Sequence, residues 1–117
     1  MPVIEEPQLI HITTIGRRTG RPRTIEILAQ PKGDGILLIG SKAGAARNPA
    51  WYHNLLANPE VTVRVTGGPT VVMRARVTGG QERERLFSET VAKFPFFADY
   101  QRRTARRIPV VVLEPGV

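Results

Sequence analysis

The chain has no cysteine. That excludes a disulfide framework, thiolate catalysis and cysteine-ligated zinc or iron–sulfur sites, and it suits a reducing compartment. Histidine is nearly absent too: His11 and His53 are the only two, and neither sits in an HExxH arrangement or beside a serine nucleophile elbow. Paired carboxylates of the glycosidase kind and clusters of acidic metal ligands are missing, so no metal site is expected. No apolar run approaches the roughly 20 residues needed to span a bilayer, and Glu5 and Glu6 stand where a signal sequence would be basic and then apolar. Acidic residues are also scarce, 10 Asp plus Glu against 17 Lys plus Arg, for a formal charge of +7. An anionic partner is implied, and charge alone leaves nucleic acid, a membrane surface and a polyanionic cofactor open.

What is present fits one domain over residues 1–117, large enough to bury a core. Apolar alternation marks strands at Leu9 to Thr14, Arg23 to Ala29, Val61 to Val65 and Val71 to Val77, the last two joined as a hairpin through Gly67-Gly68-Pro69. Ile36 to Ile39 is apolar on both faces and reads as a central strand, after a turn over Pro31 to Gly35. Ile108 to Leu113 is the closing strand. A helix is expected from about Pro49 to Asn58, capped by Asn48 and stopped by Pro59. A second runs from Gln81 to Lys93, with Leu86, Phe87, Val91 and Phe94 on its apolar stripe and Arg83 and Arg85 on its wet face. Phe94 to Tyr100 breaks that helix and restarts a short one. About six antiparallel strands with short connections and flanking helices make the class mainly β with α (α+β), a sheet closing into a small barrel.

Two stretches stand out as a binding site. Gly16 to Arg23 is a glycine-containing turn carrying Arg17, Arg18, Arg21 and Arg23. Its guanidinium groups can line a phosphate or carboxylate cradle, although a solvated hairpin turn would look the same. Gly40 to Leu55 runs from a strand end through a loop of small residues with Lys42 and Arg47 into a helix bearing Trp51 and Tyr52. Either ring can serve as core through its i,i+4 partner, or as the wall of a planar-ligand site. Side-chain catalysis is poorly provided for, since Ser41 has no base near it. Enzymatic activity would therefore depend on a bound cofactor.

Thr13 to Arg23, Gly40-Ser41-Lys42-Ala43-Gly44, Asn48 to Leu55 with Ala57-Asn58-Pro59, and the closing Ile108 to Val112 with Glu114-Pro115 together resemble the deazaflavin-dependent nitroreductase family. That family is also described as quinone reductases using the reduced form of coenzyme F420, an 8-hydroxy-5-deazaflavin. The resemblance implies a split β-barrel of the flavin-mononucleotide-binding oxidoreductase type and hydride transfer to a conjugated acceptor such as a quinone, enone or nitro compound. It implies that Arg17, Arg18, Thr19 and Arg23 meet the phosphate and glutamyl tail, alongside Thr24, Ile25, Glu26, Ile27 and Leu28. Ile39, Gly40, Ser41 and Lys42 would border the ring system, with Ala50, Trp51, Tyr52, His53, Asn54 and Phe97 completing the cradle. Ser41 and Tyr100 are the implied catalytic donors toward the acceptor. Relatives carry tyrosines where this chain has Phe94 and Phe97, and a phenylalanine donates no proton, so quinone-like acceptors are expected over nitroimidazoles. Relatives also often have a longer amphipathic lead-in, whereas eight residues precede Leu9.

The expected protein is thus cytoplasmic, with peripheral contact to the inner membrane face and a homodimer as further expectations. Two other readings compete. One is a flavin-mononucleotide (FMN) split barrel. The other is a small basic nucleic-acid barrel, which is disfavoured because most rings fall in helices and connections rather than on a sheet face, so no nucleic-acid partner is expected.

Overall fold

Alternation in the first strand sets the inside of the molecule. The computed structural model describes residues 2–116, and in it β1 (Gln8–Ile15) turns Ile10, Ile12 and Thr14 inward, all essentially inaccessible. β2 (Pro22–Lys32), β3 (Gly35–Ile39), β4 (Glu60–Arg64), β5 (Thr70–Val77) and β6 (Val110–Pro115) complete a closed barrel in the order β1-β2-β3-β6-β5-β4. Every neighbouring pair is antiparallel, and β4 closes the ring by pairing His11 with Arg64 and Ile12 with Val63 on β1. The expected six-stranded α+β barrel is what forms.

Ile36 and Leu38 of β3 enter the interior cluster with Ile10, Ile12, Val61, Val63, Met73, Val111 and Leu113. Leu37 and Ile39 point outward, where they meet Leu86 of α2 (Gly80–Lys93), Phe97 of α3 (Phe96–Arg102) and the outer residues of β6, Val110 and Val112. A strand buried on both faces reads as a continuous apolar run, which explains the lack of alternation there. A buried hydrogen bond from Gln30 Nε2 to Thr90 Oγ1, 3.0 Å, ties β2 to α2. α1 (Ala50–Ala57) spans the connection from β3 to β4 and adds Trp51 and Leu55 to the interior cluster.

Four local expectations are corrected. α1 starts at Ala50 with Pro49 in the cap position, and Asn48 makes no cap, because its Oδ1 accepts a 2.6 Å hydrogen bond from Arg106 Nη1. β2 continues through Pro31 to Lys32, where Pro31 pairs with Ile36. β1 has already ended opposite Ala29, so one side of β2 is no longer laddered there and a missing donor is tolerated. β6 starts at Val110, because the carbonyl of Ile108 is taken by Arg83 and that of Pro109 by the Gly40 N–H at 2.9 Å. Arg83 itself is only 6% exposed. Its Nε and Nη2 donate to Ile108 O at 3.2 and 2.7 Å, Nη2 also reaches Gln101 Oε1 at 3.0 Å, and the guanidinium lies 4.3 Å from the Phe87 ring centroid. Helical spacing placed it on the wet face, but a long side chain can lie along apolar surface and satisfy carbonyls at a chain break. Arg85 is exposed as expected.

Candidate functional site

The antiparallel register of β1 and β2 ends at Ile15 opposite Pro22 and throws out a turn over residues 16–21. The Gly16 N–H donates to Arg21 O and the Gly20 N–H to Gly16 O, both at 2.8 Å. Gly16 has to be small, since a Cβ there would stand 2.6 Å from Thr19 Oγ1 and 3.3 Å from Arg21 O, and Gly20 takes φ +70°. The turn is docked onto α1 by one buried side chain. Asn54 Oδ1 accepts the Arg17 N–H at 3.0 Å while Asn54 Nδ2 donates to Thr14 Oγ1 at 3.1 Å. Between turn and helix lies a cleft of about 650 Å³. Arg17, Arg18, Thr19 and Arg23 line one side of it, Ala50, Trp51 and Asn54 the other.

The cleft is cationic. No carboxylate stands within ion-pair distance of Arg17, Arg18, Arg21 or Arg23 among the described residues. His53, on α1, feels this field. Partial burial first, and the positive charge of Arg17 second, hold its imidazole below the usual 6.5. A histidine whose folded pKa is depressed binds fewer protons folded than unfolded. The resulting penalty is absent at neutral pH and appears as pH falls below about 6.5. Arg17→Gln is therefore expected to move the His53 titration upward, short of its unperturbed value because the burial remains. Proton NMR of the imidazole across pH 4 to 8, roughly bracketing the usual histidine range, measures this, and an unmoved titration would remove Arg17 from the field at His53.

The residues singled out in the sequence divide into two groups. Arg17, Arg18, Thr19, Arg23, Thr24, Ile25, Ala50, Trp51 and Asn54 line the cleft. The others lie outside its lining. Glu26 is exposed with a carboxylate oxygen 3.9 Å from His11 Nε2. Ile27 packs on the interior cluster, and Leu28 and Ile39 belong to the helix-side core. Tyr52 packs on the interior cluster and stands edge-on to His53, with ring centroids 5.5 Å apart. Phe97 is buried in the helix-side core, and Tyr100 packs edge-on against Phe96 and Phe97. This is the packed aromatic corner that so many rings beside a chain break also allow.

Gly40, Ser41 and Lys42 belong to a loop leading into a 3-10 turn (Lys42–Gly44) that touches α3. Lys42, Ala43 and Gly44 take φ of 44°, 52° and 80°, a left-handed path disfavoured for the first two. At Gly44 a Cβ would stand 2.6 Å from Tyr100 O. Gly16 and Pro22, inside the arginine turn expected to form a cradle, also line the cleft, and so does Thr14, which was not singled out. For Thr14 the signal was available, as a polar side chain in phase with inward-facing Ile10 and Ile12 needs a buried partner.

A family model described as F420H(2)-dependent quinone reductase matches residues 3–115. The chain is 38% identical over 113 residues to an F420H(2)-dependent quinone reductase of Mycobacterium tuberculosis, an alignment covering 92% of this chain and 73% of that protein. It superposes on the solved structure of an F420-H2 dependent reductase, FDR-A, with a TM-score of 0.79 at 32% identity, covering 97% of this chain and 99% of the other. A structure described as a domain-swapped dimer gives a TM-score of 0.80 at 31% identity, over 95% of this chain and 83% of that one.

Proposed function

The chain belongs to the F420H(2)-dependent quinone reductase family, and on that footing we propose that the cleft between the arginine turn and α1 holds the tail and part of the ring of its cofactor, coenzyme F420. The protein is an oxidoreductase of this family. When bound, the reduced deazaflavin supplies a hydride, and the chain has to bind it, orient it and keep water from the reacting face. The donor set fits the group. Arg17, Arg18 and Arg23, without carboxylate partners among the described residues, offer guanidinium forks to a phosphate and a string of carboxylates, and the Thr19 hydroxyl adds a neutral donor. Trp51 offers an apolar ring wall, and Asn54 keeps the turn at the right distance from it.

Gly40, Ser41 and Lys42 are assigned to the border of the ring. The quinone is assigned to the side of the 3-10 turn, where Ser41 and Tyr100 are the candidate donors to its oxygen as negative charge develops. The backbone of Tyr100 lies against Gly44 of that turn, while its ring packs on Phe96 and Phe97. A homodimer is the proposed assembly, by analogy with the similar structure described as a domain-swapped dimer; a monomer in analytical ultracentrifugation would refute it. Among the described residues no helix is long and apolar enough to cross a membrane.

The observation that carries the reading is a cleft with a tryptophan on one wall and, on the other, cations that have no carboxylate partner among the described residues. Fluorescence titration with F420, in parallel with FMN and with a single-stranded oligonucleotide, tests it. F420 is expected to bind at micromolar concentration or below, and its reduced form to be oxidised by a small quinone such as menadione. Tight FMN binding without F420 binding, or salt-sensitive oligonucleotide binding alone, would overturn it.

A further inference from the structure

Arg106 lies far along the chain from the cleft residues, in the connection between α3 and β6, yet its guanidinium is spent entirely on the loop that precedes α1. Nε donates to Ala45 O at 2.9 Å, Nη1 to Gly40 O at 3.1 Å and to Asn48 Oδ1 at 2.6 Å, and Nη2 to Ser41 O at 2.7 Å. All four acceptors are neutral, and no carboxylate stands within ion-pair distance of Arg106 among the described residues. The backbone of Arg106 is itself fixed. Gln101 Nε2 donates to Arg106 O at 2.8 Å, and Gln101 Oε1 accepts from the Ile108 N–H and from Arg83 Nη2, each at 3.0 Å. A rigid mount built from α2 and α3 thus carries a planar fork into the loop.

Peptide geometry says what the fork does there. The carbonyl of Gly40 shares a peptide plane with the N–H of Ser41, and the carbonyl of Ser41 shares one with the N–H of Lys42. The chain has no cis peptide bonds among the described residues, so in each plane the N–H points opposite to the carbonyl. Two carbonyls drawn to Arg106 therefore turn the Ser41 and Lys42 N–H groups away from it. The loop leaves this arrangement through left-handed Lys42 and Ala43, a path that persists only where the surroundings over-determine it. The bond to Asn48 anchors the chain two residues before α1, whose first residues Ala50 and Trp51 line the cleft. A lysine could not substitute, since its single ammonium cannot span three carbonyls and an amide in one plane.

We propose that Arg106 is the positioning residue of the cofactor site, holding the Gly40–Asn48 loop so that the Ser41 and Lys42 N–H groups and the start of α1 face the deazaflavin ring. This rests on the cofactor placement proposed above. The loop-holding half is measured without cofactor. In Arg106→Lys, amide hydrogen exchange over residues 40–48 is expected to accelerate at least about tenfold while the β-barrel amides keep their protection. Unchanged exchange there overturns the proposal. The functional half is a split between affinity and turnover. Arg106→Lys and Arg106→Gln are expected to lower kcat at saturating reduced F420 and quinone at least about tenfold and to shift the absorption of the bound deazaflavin, because the ring is held in the wrong place.

Guanidinium ion at millimolar concentration is expected to recover part of kcat in Arg106→Ala, whereas methylammonium is not. Asn48→Ala, which leaves Arg106 intact, is expected to give a smaller loss in the same direction and keeps the test usable if Arg106→Ala does not fold. Arg76→Gln, which removes ion pairs with Glu82 and Glu114 at the surface, is the control and should change neither quantity. A kcat within twofold of the parent in every Arg106 and Asn48 variant would overturn the proposal. If the parent protein fails to bind F420 while loop exchange still accelerates, the cofactor placement fails and the loop-holding role of Arg106 stands.

Discussion

Replacing Arg17, Arg18 and Arg23 together by Gln is expected to leave a folded protein that binds F420 at least about a hundredfold more weakly, since removing one charge-assisted hydrogen bond weakens binding by on the order of a factor of ten. The three side chains are the right ones to take together because each lines the cleft and none has a carboxylate partner among the described residues. Neutralising them removes no ion pair and relieves repulsion among neighbouring cations, so stability should stay within about 0.5 kcal/mol of the parent. Isothermal titration at two salt concentrations would show the second signature. The parent's affinity should fall with added salt, and the triple variant's should fall much less. Arg21→Gln gives the necessary comparison. Arg21 shares the turn but does not line the cleft, so it contributes only long-range attraction and its loss should cost a few-fold at most. Equal losses from Arg21 and from the cleft arginines would mean that the cofactor responds to net charge and not to this turn.

The barrel was legible because its information is local. Period-two alternation in β1, β4 and β5, and its absence in β3, fix which side chains face inward without reference to any other strand. The site was legible in its halves, as an arginine turn and a tryptophan helix, for the same reason. What joins the halves was not. Asn54 was expected to touch the cofactor; it lines the cleft, and no local pattern revealed that it also holds Arg17 and Thr14, partners 37 and 40 residues away. Asn48 carries every local mark of a helix cap, and a guanidinium 58 residues on claims it instead. Arg83 reads as a surface charge because a sequence window records polarity and spacing, and Arg106 carries no local signal at all, whereas the fate of both depends on which carbonyls the tertiary fold leaves without partners. Two long side chains whose partners a linear reading does not reveal are thus the ones that mount and hold the loop leading into α1. Phe97 shows the converse, since a ring beside a chain break can cover a ligand but is more often a packed corner, and the outward face of β3 and β6 packs it as a corner.

Trp51→Ala is expected to be the most damaging single substitution for stability, and it separates two roles that this side chain combines. The indole is 7% exposed, packs in the interior cluster and also lines the cleft. Truncation removes a large buried surface and leaves a cavity that α1 can collapse into only in part, costing about 3–5 kcal/mol. Against a total stability of about 5–15 kcal/mol for a domain of this kind, that is enough to lower the unfolding midpoint by roughly 12 °C or more. Trp51 is the only tryptophan, so the comparison has to be followed by circular dichroism, with indole fluorescence kept for the parent. A midpoint lowered by less than about 5 °C would mean that the ring is not part of the core. Trp51→Phe then isolates the cleft. A phenyl ring retains most of the interior packing, and its smaller face withdraws from the cofactor side, so this variant should remain folded while F420 affinity falls several-fold. Parent-like affinity in Trp51→Phe would assign the residue to the core alone and leave the cofactor's ring to the Gly40–Lys42 side of the site.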